Sequence, residues 1–116
     1  IGDLDKGKVI HLYIIECGHP IDVVIENALI DLYTKCSHLE GVCKVFVKMK
    51  KRTLVTWNSI IGAYSQLGCG QESLFYYYYM QQEGIHPDNV TFINMFHYVR
   101  LGPREVNPCS YHRRSF

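Results

Sequence analysis

The middle of this 116-residue chain has no side chain with a permanent positive charge. Residues 54–88 contain no Lys or Arg and three acids. Residues 1–53 carry eight Lys/Arg against seven Asp/Glu, and residues 89–116 carry four Arg against one Glu. The net charge of +1 does not by itself mark a nucleic-acid binder, because phosphate contacts supply most of that affinity. No window holds 18 uncharged apolar residues, which excludes a membrane-spanning helix. There is no C-x-x-C, and five cysteines at 17, 36, 43, 69 and 109 make an odd count. That argues against a disulfide framework and for a reducing compartment. No signal or transit peptide is visible, and the chain begins with Ile1 rather than Met, so a fragment or trimmed gene product is expected. No nucleophile, acid–base pair or metal cluster converges. An enzyme is therefore the least expected class, and no cofactor is expected.

What the chain does have is internal repetition. Asn27-x-Leu29-Ile30-x-x-Tyr33 recurs as Asn58-x-Ile60-Ile61-x-x-Tyr64, and Val45-Phe46-x-x-Met49 as Tyr76-Tyr77-x-x-Met80, both at an offset of 31. Val55-Thr56-Trp57 recurs as Val90-Thr91-Phe92 at an offset of 35. Three ordered matches in a chain this short point to a helical repeat array.

Helical periodicity fills in the units. Residues 1–22 read as a lead-in, then one apolar helix over Lys8–Glu16 stopped by Cys17-Gly18-His19-Pro20, which is half of a helix pair. Residues 23–53 read as a pair. Ile25, Ala28, Leu29 and Leu32 form the stripe of its first helix, and Leu39, Val42, Phe46 and Met49 that of its second. Ser37-His38 is the turn between them. The basic run Lys48–Arg52 closes the unit as a solvated turn. Residues 54–88 repeat the design, with Trp57, Ile60, Ile61 and Tyr64 on one stripe and Gly68-Cys69-Gly70 as the turn. Ser73, Tyr77 and Met80 are expected to face the partner helix, leaving Phe75, Tyr78 and Tyr79 outward. Residues 89–101 start a further unit, with a helix over Asn89–Val99. Residues 102–116 hold no stripe and read as irregular or disordered.

The strings Asn27–Cys36, Lys44–Met49, Val55–Tyr64 and Gly84–Phe92 resemble the pentatricopeptide repeat family in its plant form, with alternating repeat lengths. Gly7-Lys8-Val9-Ile10-His11 is similar to the second helix of the family's long repeat type. The likeness covers roughly residues 4–96. It implies an all-α, right-handed α-solenoid of antiparallel helix pairs, with repeats of 31 residues (23–53) and 35 residues (54–88). It also implies binding of single-stranded RNA, one base per repeat. Carried over by motif, the base-contacting pairs are Asn58 with Asp88 and Asn27 with Thr53. Val24, Val55 and Val90 would flank bases as flat apolar walls. Lys35 would reach a phosphate. An Asn amide offers a base edge both a donor and an acceptor; in this family the Asn/Asp pair implies uracil before cytosine, hence a U-rich partner. Thr53 departs from the Asp usual at the repeat end. The implied role is RNA processing in a mitochondrion or chloroplast, including editing, with protein partners from RNA-processing complexes.

Blander readings compete with each of these. Asn27 and Asn58 fit helix-start caps, the three valines fit ordinary packing, and Trp57 fits a core position. His38-Leu39-Glu40 matches the H-x-E of zinc deaminases and Pro108-Cys109-Ser110-Tyr111-His112 half-matches their P-C-x-x-C, but the second cysteine is missing and His38 falls in a turn. At the level of the whole chain the rivals are a protein-interaction solenoid, as in tetratricopeptide repeats, using Phe75, Tyr78 and Tyr79, and a degenerate remnant without activity.

Overall fold

The computed structural model describes residues 2–16, 18 and 22–101, with side chains between 6 and 96. The expectation of an irregular tail falls on residues 102–116, outside the described residues. Six helices follow one another: α1 (Gly2–Glu16), α2 (Val23–Lys35), α3 (Leu39–Lys48), α4 (Leu54–Gln66), α5 (Gly70–Gln82) and α6 (Asn89–Leu101). Among the described residues there is no strand, and none of the helices is long and apolar enough to cross a membrane. α1 starts six residues earlier than its apolar run suggests. Polar residues at the start of a helix need no buried partner, so periodicity does not see them.

Side chains fix where the first helix of each unit begins. Asp22 Oδ1 accepts from the backbone N–H of Ile25 at 3.0 Å, opening α2. Thr53 opens α4 in a reciprocal capping box with Thr56. Asp88 Oδ1 accepts from the N–H of Thr91 at 3.1 Å, opening α6. The caps are thus the residues that end each preceding unit, not Asn27 or Asn58.

Two turns then fold the units into hairpins. At α4–α5 the chain reverses through Gly68 at φ 82°, a left-handed value that glycine adopts without cost. Thirty-one residues earlier, at α2–α3, Ser37 adopts φ 56° in the equivalent place. His38 caps α3 there, its Nδ1 accepting from the N–H of Gly41 at 3.0 Å, and Glu40 pairs with Lys44 at 2.9 Å. The H-x-E string is accounted for by these contacts. Among the described residues no group of three His, Cys, Asp or Glu side chains is placed to hold a metal ion.

The hairpins pack side by side. α2 touches α4 and α4 touches α6, forming one layer, while α3 and α5 lie behind. The core between the layers is Leu29, Ile30, Val42, Phe46, Trp57, Ile60, Ile61, Tyr64, Tyr76 and Met80. Three expectations fail here. Ala28 is exposed, and the core arc of α2 is instead Leu29, Ile30 and Tyr33. On α5 the buried ring is Tyr76, stacked on Tyr64 at 5.0 Å, rather than Tyr77. Tyr79 is not outward: its ring packs edge-on against Trp57 at 4.9 Å and Phe46 at 6.5 Å.

Arg52, half-buried, packs against the edge of this core. Its Nη2 and Nε donate to the Phe46 carbonyl at 2.9 and 3.2 Å, and its guanidinium lies 4.1 Å over the Phe46 ring. Its Nη1 reaches the Tyr79 hydroxyl at 3.4 Å. The basic run is therefore not wholly a solvated turn. The cysteines also divide. Cys36 is half-buried and free, and Cys43 is buried and free.

Candidate nucleic-acid interface

The layer α2–α4–α6 presents an open groove of about 450 Å3, bounded by Asp31 and Lys35 of α2, Val55 and Asn58 of α4, and Asp88 and Val90 at the start of α6. Of the eight residues singled out from the sequence, Lys35, Val55, Asn58, Asp88 and Val90 line it, and Val24, Asn27 and Thr53 do not. Each first helix begins at a capped joint, so residues one and four places after its start fall on the same face in every unit. Val24, Val55 and Val90 are 70%, 60% and 49% exposed. Three branched apolar side chains at matching positions are left in solvent, though burial would favour each by roughly 1.5–3 kcal/mol.

The α4–α6 joint is a closed polar node. Asn58 is 7% exposed. Its Nδ2 donates to Asp88 Oδ1 at 3.1 Å, and its Oδ1 accepts from the Thr91 hydroxyl. Thr91 is fully buried; its Oγ1 also accepts from the backbone N–H of Asp88 at 3.0 Å. Asn94 Nδ2 donates to the Asn58 carbonyl at 2.8 Å. The close approach that permits this last bond needs Gly62, where a Cβ would meet Asn94 Nδ2 at 3.0 Å. The N–H of Thr91, first among several donors, holds the Asp88 carboxyl below its ordinary 3.8 despite some desolvation.

The α2–α4 joint repeats the node with different chemistry. Asn27 Oδ1 accepts from the hydroxyl of Thr56 at 2.6 Å. Thr56 is fully buried and its Oγ1 lies 3.3 Å from Thr53 Oγ1. Asn27 and Thr53 are thus linked through Thr56, whereas Asn58 and Asp88 touch directly. Asn27 is not among the residues bounding the groove. Thr56 and Thr91 were missed as site residues. Their signal was present in the recurrence of Val-Thr-aromatic 35 residues apart, read there as a repeat mark only.

The charged residues lining the groove are two acids, Asp31 and Asp88, and one base, Lys35. It can hydrogen-bond a planar polar edge and flank it with aliphatic surface, but it offers a polyanion one cation.

Comparison with known proteins agrees with the repeat reading. A profile described as the PPR repeat family matches residues 52–99, and one described as the PPR repeat matches residues 27–54. Three relatives from Arabidopsis thaliana are named pentatricopeptide repeat-containing proteins. One is 40% identical over 83% of this chain and 17% of its own length. A second, named chloroplastic, is 42% identical over 80% of this chain and 10% of its own. A third, named mitochondrial, is 35% identical over 79% of this chain and 14% of its own. The chain spans less than a fifth of the length of these three relatives.

Proposed function

Because this chain belongs to the pentatricopeptide repeat family, we propose that its groove docks single-stranded RNA without catalysing a reaction. In this reading Asn58 and Asp88 meet one base edge, and Asn27 and Thr53 a neighbouring one. Val24, Val55 and Val90 wall the bases, and Lys35 meets a phosphate. The observation that carries it is the Asn58–Asp88 pair, hydrogen-bonded at 3.1 Å on the groove wall between two valines left exposed. An amide and a carboxylate held together in this way present polar atoms to a planar partner, and the valines supply its flanking surface.

By the one-base-per-repeat rule two joints address about two bases, and a single groove cation adds little. Binding by this chain alone is therefore weak, with a Kd above about 10 µM and a salt slope near −1 on logarithmic axes. Fluorescence anisotropy of a short oligouridylate against added salt tests this. Nanomolar binding indifferent to salt would defeat it. Within a longer protein the same groove would contribute to RNA processing in a chloroplast or mitochondrion, as the names of two relatives suggest by analogy.

A protein-binding reading has one observation of its own. Phe75 and Tyr78 are exposed on α5, behind the groove layer. Capture of a partner that survives nuclease and is lost in Tyr78→Glu would favour it over RNA docking.

A further inference from the structure

The other side of α2 carries a second cavity, which the RNA reading does not use. It holds about 430 Å3, is walled by α1, α2 and α3, and shares no lining residue with the groove. That volume is ordinary for a small-molecule pocket. Its apolar surface comes from Leu12 and Ile15 of α1, Leu29 of α2 and Val45 of α3. Lys8 and His11 reach it from α1, His38 from the turn, and Lys44 and Lys48 from α3. We propose that this cavity is a binding site for a small organic anion, a carboxylate or phosphate monoester carried on an apolar body.

Three rings form one wall. His11 Nδ1 lies 2.9 Å from the Tyr33 hydroxyl. The Tyr33 ring is 5.9 Å from the His11 imidazole and 5.6 Å from that of His38. This packing depends on Gly41, where a Cβ would meet Tyr33 Cδ1 at 2.5 Å and His38 Nδ1 at 2.8 Å. The same bonds decide what the imidazoles offer. His38 Nδ1 accepts from the N–H of Gly41 at 3.0 Å, so in the neutral ring Nε2 carries the proton. With the Tyr33 phenol donating to Nδ1, His11 likewise keeps its proton on Nε2. Both rings then present a donor.

The charges point the same way. Glu40 pairs with Lys44 at 2.9 Å. Lys8 and Lys48 have no ion-pair partner among the described residues, and Glu26 is the one other acid of the lining. Two cations and two imidazole donors therefore stand over an apolar floor against a single carboxylate, which suits a negative head on an apolar body. His11 reports the field. Burial first, and then the charge of Lys48, hold its pKa below the ordinary 6.5. An anion seated beside it would offset Lys48 and raise that value. Around His11 stand Lys8 on its own helix, Glu26 and Tyr33 on α2, His38 in the turn, and Glu40, Lys44 and Lys48 on α3. Of these groups only the imidazoles ordinarily titrate near about pH 6.5.

The test uses the whole 116-residue chain without RNA, and NMR of the His11 and His38 ring signals. Benzoate and phenyl phosphate supply the two kinds of head, and benzyl alcohol a similar body without charge. At least one anion should shift both rings saturably, and the tighter of the two names the head. Benzyl alcohol should bind about tenfold more weakly or not at all. Lys48→Gln should weaken anion binding about tenfold, the loss of one charge-assisted hydrogen bond, and Lys8→Gln serves as a second variant. Lys50→Gln removes an exposed charge outside the cavity and should change nothing. With benzoate bound the His11 pKa should rise, so benzoate should bind more tightly as the pH falls through about 6.5. Failure of both anions to shift the rings would overturn the proposal, as would equal binding of benzyl alcohol. Equal losses in Lys48→Gln and Lys50→Gln would reduce the effect to general attraction and overturn it too.

Discussion

The two joints of this array differ in one cap, and the difference changes what each can present. At α4–α6 the cap is Asp88, which accepts from Asn58 at 3.1 Å and from the N–H of Thr91 at 3.1 Å. At α2–α4 the cap is Thr53, which meets Thr56 and reaches Asn27 only through it. Both caps satisfy the start of a helix. Only the carboxylate also dictates the orientation of the neighbouring amide, because it cannot donate. A residue chosen for capping can therefore double as a determinant of the groove, and a substitution neutral for the helix need not be neutral for the site.

The most disruptive way to separate the joints is Gly62→Val. A Cβ there would lie 3.0 Å from Asn94 Nδ2 and 3.2 Å from its Cγ. Asn94 cannot retreat without breaking its 2.8 Å bond to the Asn58 carbonyl. The variant should lose about 1–3 kcal/mol in urea denaturation, with amide exchange accelerating in α6 and not in α2. Equal loosening of both joints would contradict the comparison.

A smaller effect should convert one joint into the other. Thr53→Asp keeps an N-cap and adds an acidic group at a helix start, for a gain of roughly 0.5 kcal/mol. It also gives the Asn27 NH2 an acceptor. Thermal denaturation should show a slight rise in Tm, and the Asn27 side-chain NH2 should come to exchange more slowly. A faster-exchanging NH2 would mean that the cap does not orient the amide.

The mildest probe is acid. The carboxyl of Asp88 titrates below its ordinary 3.8 because the folded state donates hydrogen bonds to it, first from the N–H of Thr91. A folded pKa lowered in this way contributes stability that is present above 3.8 and is lost as the pH falls through the folded value. The hydroxyl cap at Thr53 has no such dependence. Hydrogen exchange of the Thr91 N–H should quicken below that pH relative to the Thr56 N–H, after correction for intrinsic rates. Parallel behaviour of the two would remove the carboxylate from the account.

Much of this was legible because repetition and amphipathicity are written in residue spacing. Trp57, Ile60, Ile61 and Tyr64 are all buried as their stripe requires, and so are Leu39, Val42, Phe46 and Met49. Four successive tyrosines, 76 to 79, carry no period, so which ring goes inward had to come from packing. Tyr76 shares a stripe with Ser73 and Met80, while Tyr79 is drawn in by Phe46, Trp57 and Arg52. The threonine nodes were hidden for a different reason. Asn27 meets a residue 29 places on and Asn58 one 33 places on, so no fixed spacing announces the contact. The groove's valines were legible as repeats, but their exposure depends on the phase of each helix against its neighbours, which spacing alone does not set.

Arg52 has a consequence for how the chain meets an anion. Its positive group is folded back on a main-chain oxygen and pressed to an aromatic face, acting as a rivet where successive hairpins adjoin. The cost is borne by the surface: a tally of basic side chains overstates the attraction that a phosphate chain feels on passing this seam.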